Sequence, residues 1–160
     1  MPFVRAARPA DAEAAAEVLR NSITKLGVAD HQNDPGTLET WLQGKSATDF
    51  LGWLADDDQF CVVAQSREKV RGVGLIDRSG EIRLCYISPR VRGRGVGSTI
   101  LAALEQKAAA WGLTSLRLQS TASARPFYER HGYVPDGEST HAFGISRCYP
   151  YRKELKPAAA

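Results

Sequence analysis

Cysteine is scarce in this chain. There are three in 160 residues (Cys61, Cys85 and Cys148), an odd number with no pair at metal-knuckle spacing. That argues against a disulfide scaffold or a cysteine-based metal centre, and no metal site is expected. Cys61 and Cys85 lie in apolar runs and read as buried, reduced thiols, which points to the cytoplasm. No apolar run approaches the roughly 20 residues that a spanning helix needs, so no membrane association is expected. The N-terminal stretch MPFVRAARPADAEAAAEV contains acidic residues and no apolar core, unlike a secretory signal. Charge imbalance is small as well: a net +3 permits an anionic ligand without arguing for nucleic acid. Repeats and low-complexity tracts are absent.

What remains is an ordinary globular composition, 43% hydrophobic and 24% charged, in a length suited to one domain. A single domain over residues 1–156 is expected, with a disordered tail at 157–160. Phe3 to Ala7 reads as a first strand. Asp11 is a candidate N-cap for a helix reaching about Leu26 and stopped by Gly27. Val28 to Gly36 is nearly all turn-forming residues and reads as loop. Two short helices follow, Thr37 to Leu42 and Thr48 to Leu54. Gln59 to Gln65, Val70 to Ile76 and Glu81 to Ile87 form three consecutive strand patterns separated by turns.

The informative stretch is Leu84 to Leu104, LCYISPRVRGRGVGSTILAAL. An apolar strand is stopped by Ser88-Pro89, a glycine-rich turn follows, and Val96, Ile100, Leu104, Ala108 and Trp111 then recur at helical spacing. Strand, glycine turn and helix start together make an anion site, because the unpaired N–H groups of the first helical turn point at whatever binds there. Arg92 and Arg94 add positive charge, so a phosphate or diphosphate is the natural ligand. A Walker A loop is excluded, since no lysine follows Gly97, and the glycines at 93, 95 and 97 do not match G-x-G-x-x-G. Arginine–glycine strings also occur in RNA-binding segments, but those are longer, disordered and interleaved with aromatics. Beyond the helix, Leu113 to Gln119 alternates as a strand parallel to Glu81–Ile87. Ser120 to His131 reads as a helix capped by Ser123 or Thr121. Tyr133 to Pro135 and Ala142 to Leu155 read as closing strands.

Arg92-x-x-Gly95-x-Gly97 resembles the acetyl-CoA diphosphate loop of the GCN5-related N-acetyltransferase (GNAT) family. The preceding Tyr86-Ile-Ser-Pro89 resembles the end of that family's fourth strand. Downstream, Ala124-Arg-Pro-Phe-Tyr128-Glu-Arg-His-Gly132-Tyr133 resembles its "AxxFYExxGF" motif, and the likeness covers nearly the whole chain. It implies an α/β (α+β) fold: a mixed, mostly antiparallel twisted sheet of about six or seven strands with about four helices on both faces. It also implies acetyl-CoA as cofactor and a small-molecule or peptide amine as acceptor. A homodimer is common in the family, though no stretch here locates an interface.

The same resemblance suggests roles. Tyr86, Ile87, Arg92, Gly93, Arg94, Gly95, Val96, Gly97, Ser98 and Arg125 would hold the cofactor, with the acetyl carbonyl meeting a backbone N–H near Ile87, where family members carry a bulge. Tyr128 would be the general acid at the departing sulfur; a pure packing role stands beside that reading. Glu81 is the carboxylate placed to serve as base, against a plain solvated turn residue. Arg83 cannot accept a proton at neutral pH and is a candidate partner for an anionic acceptor group. His31, Trp41 and His141 complete the candidate acceptor-binding residues, each with a structural alternative in the core or in exposed loop. A CoA-binding module without turnover, and an enzyme for another acyl-CoA, remain the rival functions.

Overall fold

The structure is a computed structural model describing residues 2–142 and 145–156; residues 1, 143–144 and the expected tail at 157–160 lie outside the described residues. The strands are β1 (Phe3–Ala6), β2 (Gln59–Ser66), β3 (Lys69–Asp77), β4 (Glu81–Ile87), β5 (Ser115–Ser120), β6 (Val134–Pro135), β7 (Thr140–Ala142) and β8 (Ile145–Glu154). They run in the order β1-β2-β3-β4-β5-β8-β6, with β7 paired to β8. Among the described residues only β4 and β5 are parallel. The closing segment makes three strands where two were expected, which brings the total among the described residues to eight.

Period-two alternation sends the two sets of strand side chains to two cores. Cys61, Val63, Val73, Leu75 and Leu84 face α1 (Ala12–Asn21) and α4 (Ala47–Ala55). Val62, Ala64, Ile76, Leu116 and Leu118 face α5 (Val96–Ala110) and α6 (Arg125–Arg130). On β3 the second face carries Gly74, where an added Cβ would lie 2.5 Å from Ile100 Cγ2 and 3.2 Å from Leu104 Cδ1. The missing side chain is what lets α5 lie tight on the sheet.

Several local expectations need correction. Asp11 sits at the N-cap position of α1 but makes no cap bond. Its carboxylate instead accepts from Arg5 Nη1 and Nη2 at 2.9 and 2.8 Å and from the Arg8 N–H at 2.8 Å. The first helix continues as a π-turn, Ser22–Leu26. Gly27 then serves close packing: its Cβ would lie 2.8 Å from Trp41 Cζ3. The expected loop after it contains a short helix, α2 (Val28–His31), before α3 (Pro35–Leu42). Tertiary contacts override the turn-rich composition there, because buried His31 bonds the Ile23 carbonyl at 2.9 Å and accepts from the Asn33 N–H at 3.0 Å. The last helix starts at Arg125 with Ala124 as N-cap, five residues later than Ser120. Thr121 Oγ1 accepts from the Ala124 N–H at 3.3 Å, while Ser123 turns away to Asp30 on α2.

Gly74→Ala is expected to destabilise the fold by about 1–3 kcal/mol, read as a lower denaturant midpoint at unchanged m-value. Asp11 makes a second prediction. Hydrogen bonds from Arg5, opposed by burial and helped by the Arg8 N–H, lower its pKa. A depressed folded-state pKa contributes stability that is complete above the unfolded value of about 3.9 and is lost as pH falls through the folded value. Asp11→Asn should therefore cost ~2 kcal/mol at pH 7, and the gap from wild type should close in acid melts.

Candidate functional site

Strand β4 pairs with β3 along nearly its whole length, with one irregularity. Leu75 lies opposite Leu84 and Ile76 opposite Ile82, so Arg83 is an extra residue, a β-bulge. The bulge reverses facing: Ile82 joins the α5-side core while Leu84 joins the other. Beyond it β4 departs from β5, to which it is paired only at Glu81–Arg117 and Ile82–Leu118. The Ser88 N–H donates to the Arg71 carbonyl at 2.7 Å. By antiparallel alternation Tyr86 and Leu84 also bond β3, so the backbone groups of Cys85 and Ile87 face the gap between β4 and β5. The bulge lies at Arg83, four residues before the expected place near Ile87, and by the same alternation the Ile87 N–H faces the opening.

At the far end of β4 the chain turns through Pro89–Val91 into the glycine run. Gly93 and Gly95 have φ of +79° and +77°, a left-handed conformation that disfavours a side chain, and a Cβ at either would meet nothing within 4 Å. Helix α5 starts at Val96 with no side-chain cap and no acidic residue in its first turn. The N–H groups of Val96, Gly97 and Ser98 have no intrahelical acceptor, and Arg92 and Arg94 are exposed beside them. The loop is a cationic cradle open to an anion.

Helix α6 closes the α5 side of the gap. Phe127 packs on Gly97, where a Cβ would be 3.2 Å from Phe127 Cζ. Tyr128 is buried, at 8% exposure, and lies near Cys85, whose thiol is 3.9 Å from the Gly97 carbonyl. Burial first, then Cys85 and Tyr86 nearby, hold the Tyr128 hydroxyl well above its ordinary pKa. Burial likewise pushes the Cys85 thiol up to about 12, partly offset by the neighbouring Tyr128 hydroxyl. A narrow cleft of about 70 Å³ between the diverging strands is lined by Cys85, Tyr86, Ser120 and Tyr128 among others. It shares Ile82, Arg83, Leu84 and Gln119 with a larger cavity of about 290 Å³ that reaches to Trp53 on the α4 side of the sheet. The cleft between the strands therefore continues into a cavity on the α4 side of the sheet.

The profile of the acetyltransferase (GNAT) domain matches residues 13–155. The chain belongs to the GNAT family. A curated relative, the uncharacterized N-acetyltransferase YjcF of Bacillus subtilis, is 37% identical over 76 residues, 45% of this chain and 54% of that protein, so the match spans about half the relative's length. Among solved structures, a GCN5-related N-acetyltransferase from Rhodopseudomonas palustris superposes with a TM-score of 0.85 at 25% identity, covering 97% of this chain and 96% of that one. The PaiA N-acetyltransferase of Thermoplasma acidophilum, solved with coenzyme A, superposes at 0.83 with 19% identity over 97% and 99% of the two chains.

Acetyl-CoA is the cofactor of the GNAT family, and the residues present fit it: the glycine turn is open at the positions where a Cβ would obstruct an approaching diphosphate, beside unpaired N–H groups and two arginines. Other candidates are placed differently. Arg125 is turned away, its Nε 3.0 Å from the Tyr151 hydroxyl and its guanidinium 3.9 Å from the Tyr149 ring centre. His31 and Trp41 are core residues, 1% and 2% exposed. Trp41 Nε1 donates to the Tyr86 hydroxyl at 3.2 Å, so that hydroxyl is held by α3 while Tyr86 still lines the cleft. His141 is exposed on β7, and Glu81 and Arg83 line the larger cavity.

Two residues at the site were missed from sequence. His131, four positions beyond Phe127, bonds the Phe127 carbonyl through Nδ1 at 2.8 Å and Ser98 Oγ through Nε2 at 2.9 Å. A carbonyl only accepts, so Nδ1 carries a proton toward Phe127. The helical i, i+4 spacing from Phe127 was the available signal. Lys45, on the turn between α3 and α4, is buried against the larger cavity with nothing in the sequence to mark it. For the cradle, the double variant Arg92→Ala/Gly95→Asp is expected to bind acetyl-CoA more than tenfold more weakly by calorimetry. The fold should survive, since a non-glycine residue in the left-handed region costs only about 1–2 kcal/mol.

Proposed function

We propose that the protein is an acetyl-CoA-dependent N-acetyltransferase that passes the acetyl group directly to a primary amine, with both substrates bound at once. The observation that carries this reading is buried Tyr128, which lines the cleft between the diverging β4 and β5. When bound, acetyl-CoA supplies a carbonyl activated as a thioester. The Gly93–Ser98 backbone and Arg92 and Arg94 hold its diphosphate. The Ile87 N–H, directed into the gap, donates to the carbonyl oxygen as negative charge grows there. Tyr128 keeps its proton and presents it to the departing sulfur. With its pKa raised, it stabilises a thiolate by hydrogen bonding before any full transfer. Glu81 is the acidic residue among those lining the larger cavity and is assigned as acceptor of the amine proton.

Transfer through an acetyl-cysteine is disfavoured by the thiol itself. With a pKa of about 12, Cys85 is thiolate to only about one part in 10⁵ at pH 7. Cys148 is buried against Ile23 and Trp41, in a different core cluster.

Tyr128→Phe tests the assignment. Turnover, read by release of free CoA thiol, should fall by about 10²–10⁴ while acetyl-CoA affinity stays within threefold. Unchanged turnover would remove Tyr128 from the mechanism. Absence of turnover in the wild type despite tight acetyl-CoA binding, across a broad amine panel, would favour a regulatory CoA-binding module. Because the raised pKa keeps Tyr128 protonated past pH 10, kcat should show no alkaline fall between pH 7 and 9.

A further inference from the structure

A separate cavity of about 540 Å³ lies between α1, β1 and the β2–β3 turn, and it shares no lining residue with the cleft or the cavity beside it. A second bulge shapes it. Ala64 lies opposite Gly72 and Gln65 opposite Val70, so Arg71 is an extra residue on β3. Val70 packs against the α1-side core, and Arg71 lines the cavity beside it. The Arg71 side chain is half-buried, and among the described residues its guanidinium makes no hydrogen bond or ion pair. Lys69 and Arg90, both exposed, line the same cavity, likewise without an ion pair among the described residues. The acidic residues of the lining do not answer these three charges. Asp11 is taken by Arg5 and the Arg8 N–H, while Glu17 and Glu68 are exposed and form no ion pair among the described residues. Ser88 adds an independent observation. It is 7% exposed, its hydroxyl oxygen accepts from the Arg90 N–H at 3.2 Å, and its own proton has no acceptor among the described residues. A buried donor without an acceptor is costly, and this one lines the cavity.

We propose that this cavity is a second anion site, taking a small molecule that carries two or more phosphate or carboxylate groups. Arg71 and Arg90 offer planar forks that match either group, the Ser88 hydroxyl offers a further donor, and Lys69 a compact charge. At about 30 Å³ per water-sized group, the volume of about 540 Å³ admits roughly eighteen non-hydrogen atoms, the scale of a metabolite. The site is distinct from the cofactor cradle, since none of Arg92 to Ser98 lines it. It does lie against the turn that leads there: the Ser88 N–H donates to the Arg71 carbonyl at 2.7 Å, just before Pro89–Val91.

The test titrates tripolyphosphate, ADP and citrate calorimetrically into protein saturated with CoA, and into the Arg92→Ala/Gly95→Asp variant without CoA. Saturable binding of at least one of them is expected in both, and the one preferred tells inorganic phosphate, nucleotide and carboxylate apart. Arg71→Gln and Arg90→Gln should each weaken that binding by roughly tenfold or more. Arg130→Gln, at an exposed position on α6, should leave it nearly unchanged. Melting temperatures are recorded for each variant, and exposed Arg90 carries the test if Arg71→Gln does not fold. Failure of all three anions to bind, or an equal loss in Arg130→Gln, overturns the inference. Binding that disappears when CoA is present also overturns it, because the cavity would then belong to the cofactor site. The transferase reading survives each of these outcomes.

Discussion

A parallel pair of strands normally stays paired until one of them ends, and here it does not. Strand β4 continues its ladder with β3 as far as Ile87 but is paired with β5 at only two positions. The single inserted residue, Arg83, changes the course of β4 relative to β5 and reverses which side chains face which core. The consequence is a stretch of interior strand edge, at Cys85 and Ile87, whose backbone groups have no partner strand. Such an edge inside a fold is costly unless water or a ligand meets it. The GNAT site is built around that opening.

The opening is held from both faces of the sheet. On one side α5 lies close against β3, because Gly74 offers no side chain to Ile100. Its first turn points at the anion cradle, and Phe127 and His131 of α6 brace it through Gly97 and Ser98. On the other side, Asp30 of α2 accepts hydrogen bonds from the Ser123 N–H and hydroxyl, linking the helical N-terminal half to the turn that leads into α6. Tyr128 is thus fixed at the gap by contacts from elements far apart in sequence. That rigidity suits a proton donor whose task is set by position.

Much of this was legible from residue patterns. Periodicity placed β2, β3, β4 and α5 to within about two residues, because each is long and repeats cleanly. The glycine turn was legible because its spacing excludes other phosphate loops and left-handed backbone favours glycine. What failed was governed by tertiary contact. Val28–His31 is helical because His31 bonds Ile23, and α6 is short because Ser123 is claimed by Asp30. Arg125 was expected at the cofactor from the family resemblance, yet the Tyr149 and Tyr151 side chains of β8 hold it. Lys45 was invisible, since a lysine in a polar turn reads as solvated and only the fold buries it. A bulge has no local signature either, so Arg83 could be flagged for its charge but not as the residue that parts the strands.

The central claim is that one ligand spans the glycine cradle and the open edge of β4. Amide NMR during an acetyl-CoA titration tests it most directly. The account predicts saturable shifts for the N–H groups of Gly93 through Ser98 together with Cys85 and Ile87, while amides of the β1–β2 ladder stay in place. Shifts confined elsewhere, or none at all in folded protein, would contradict it.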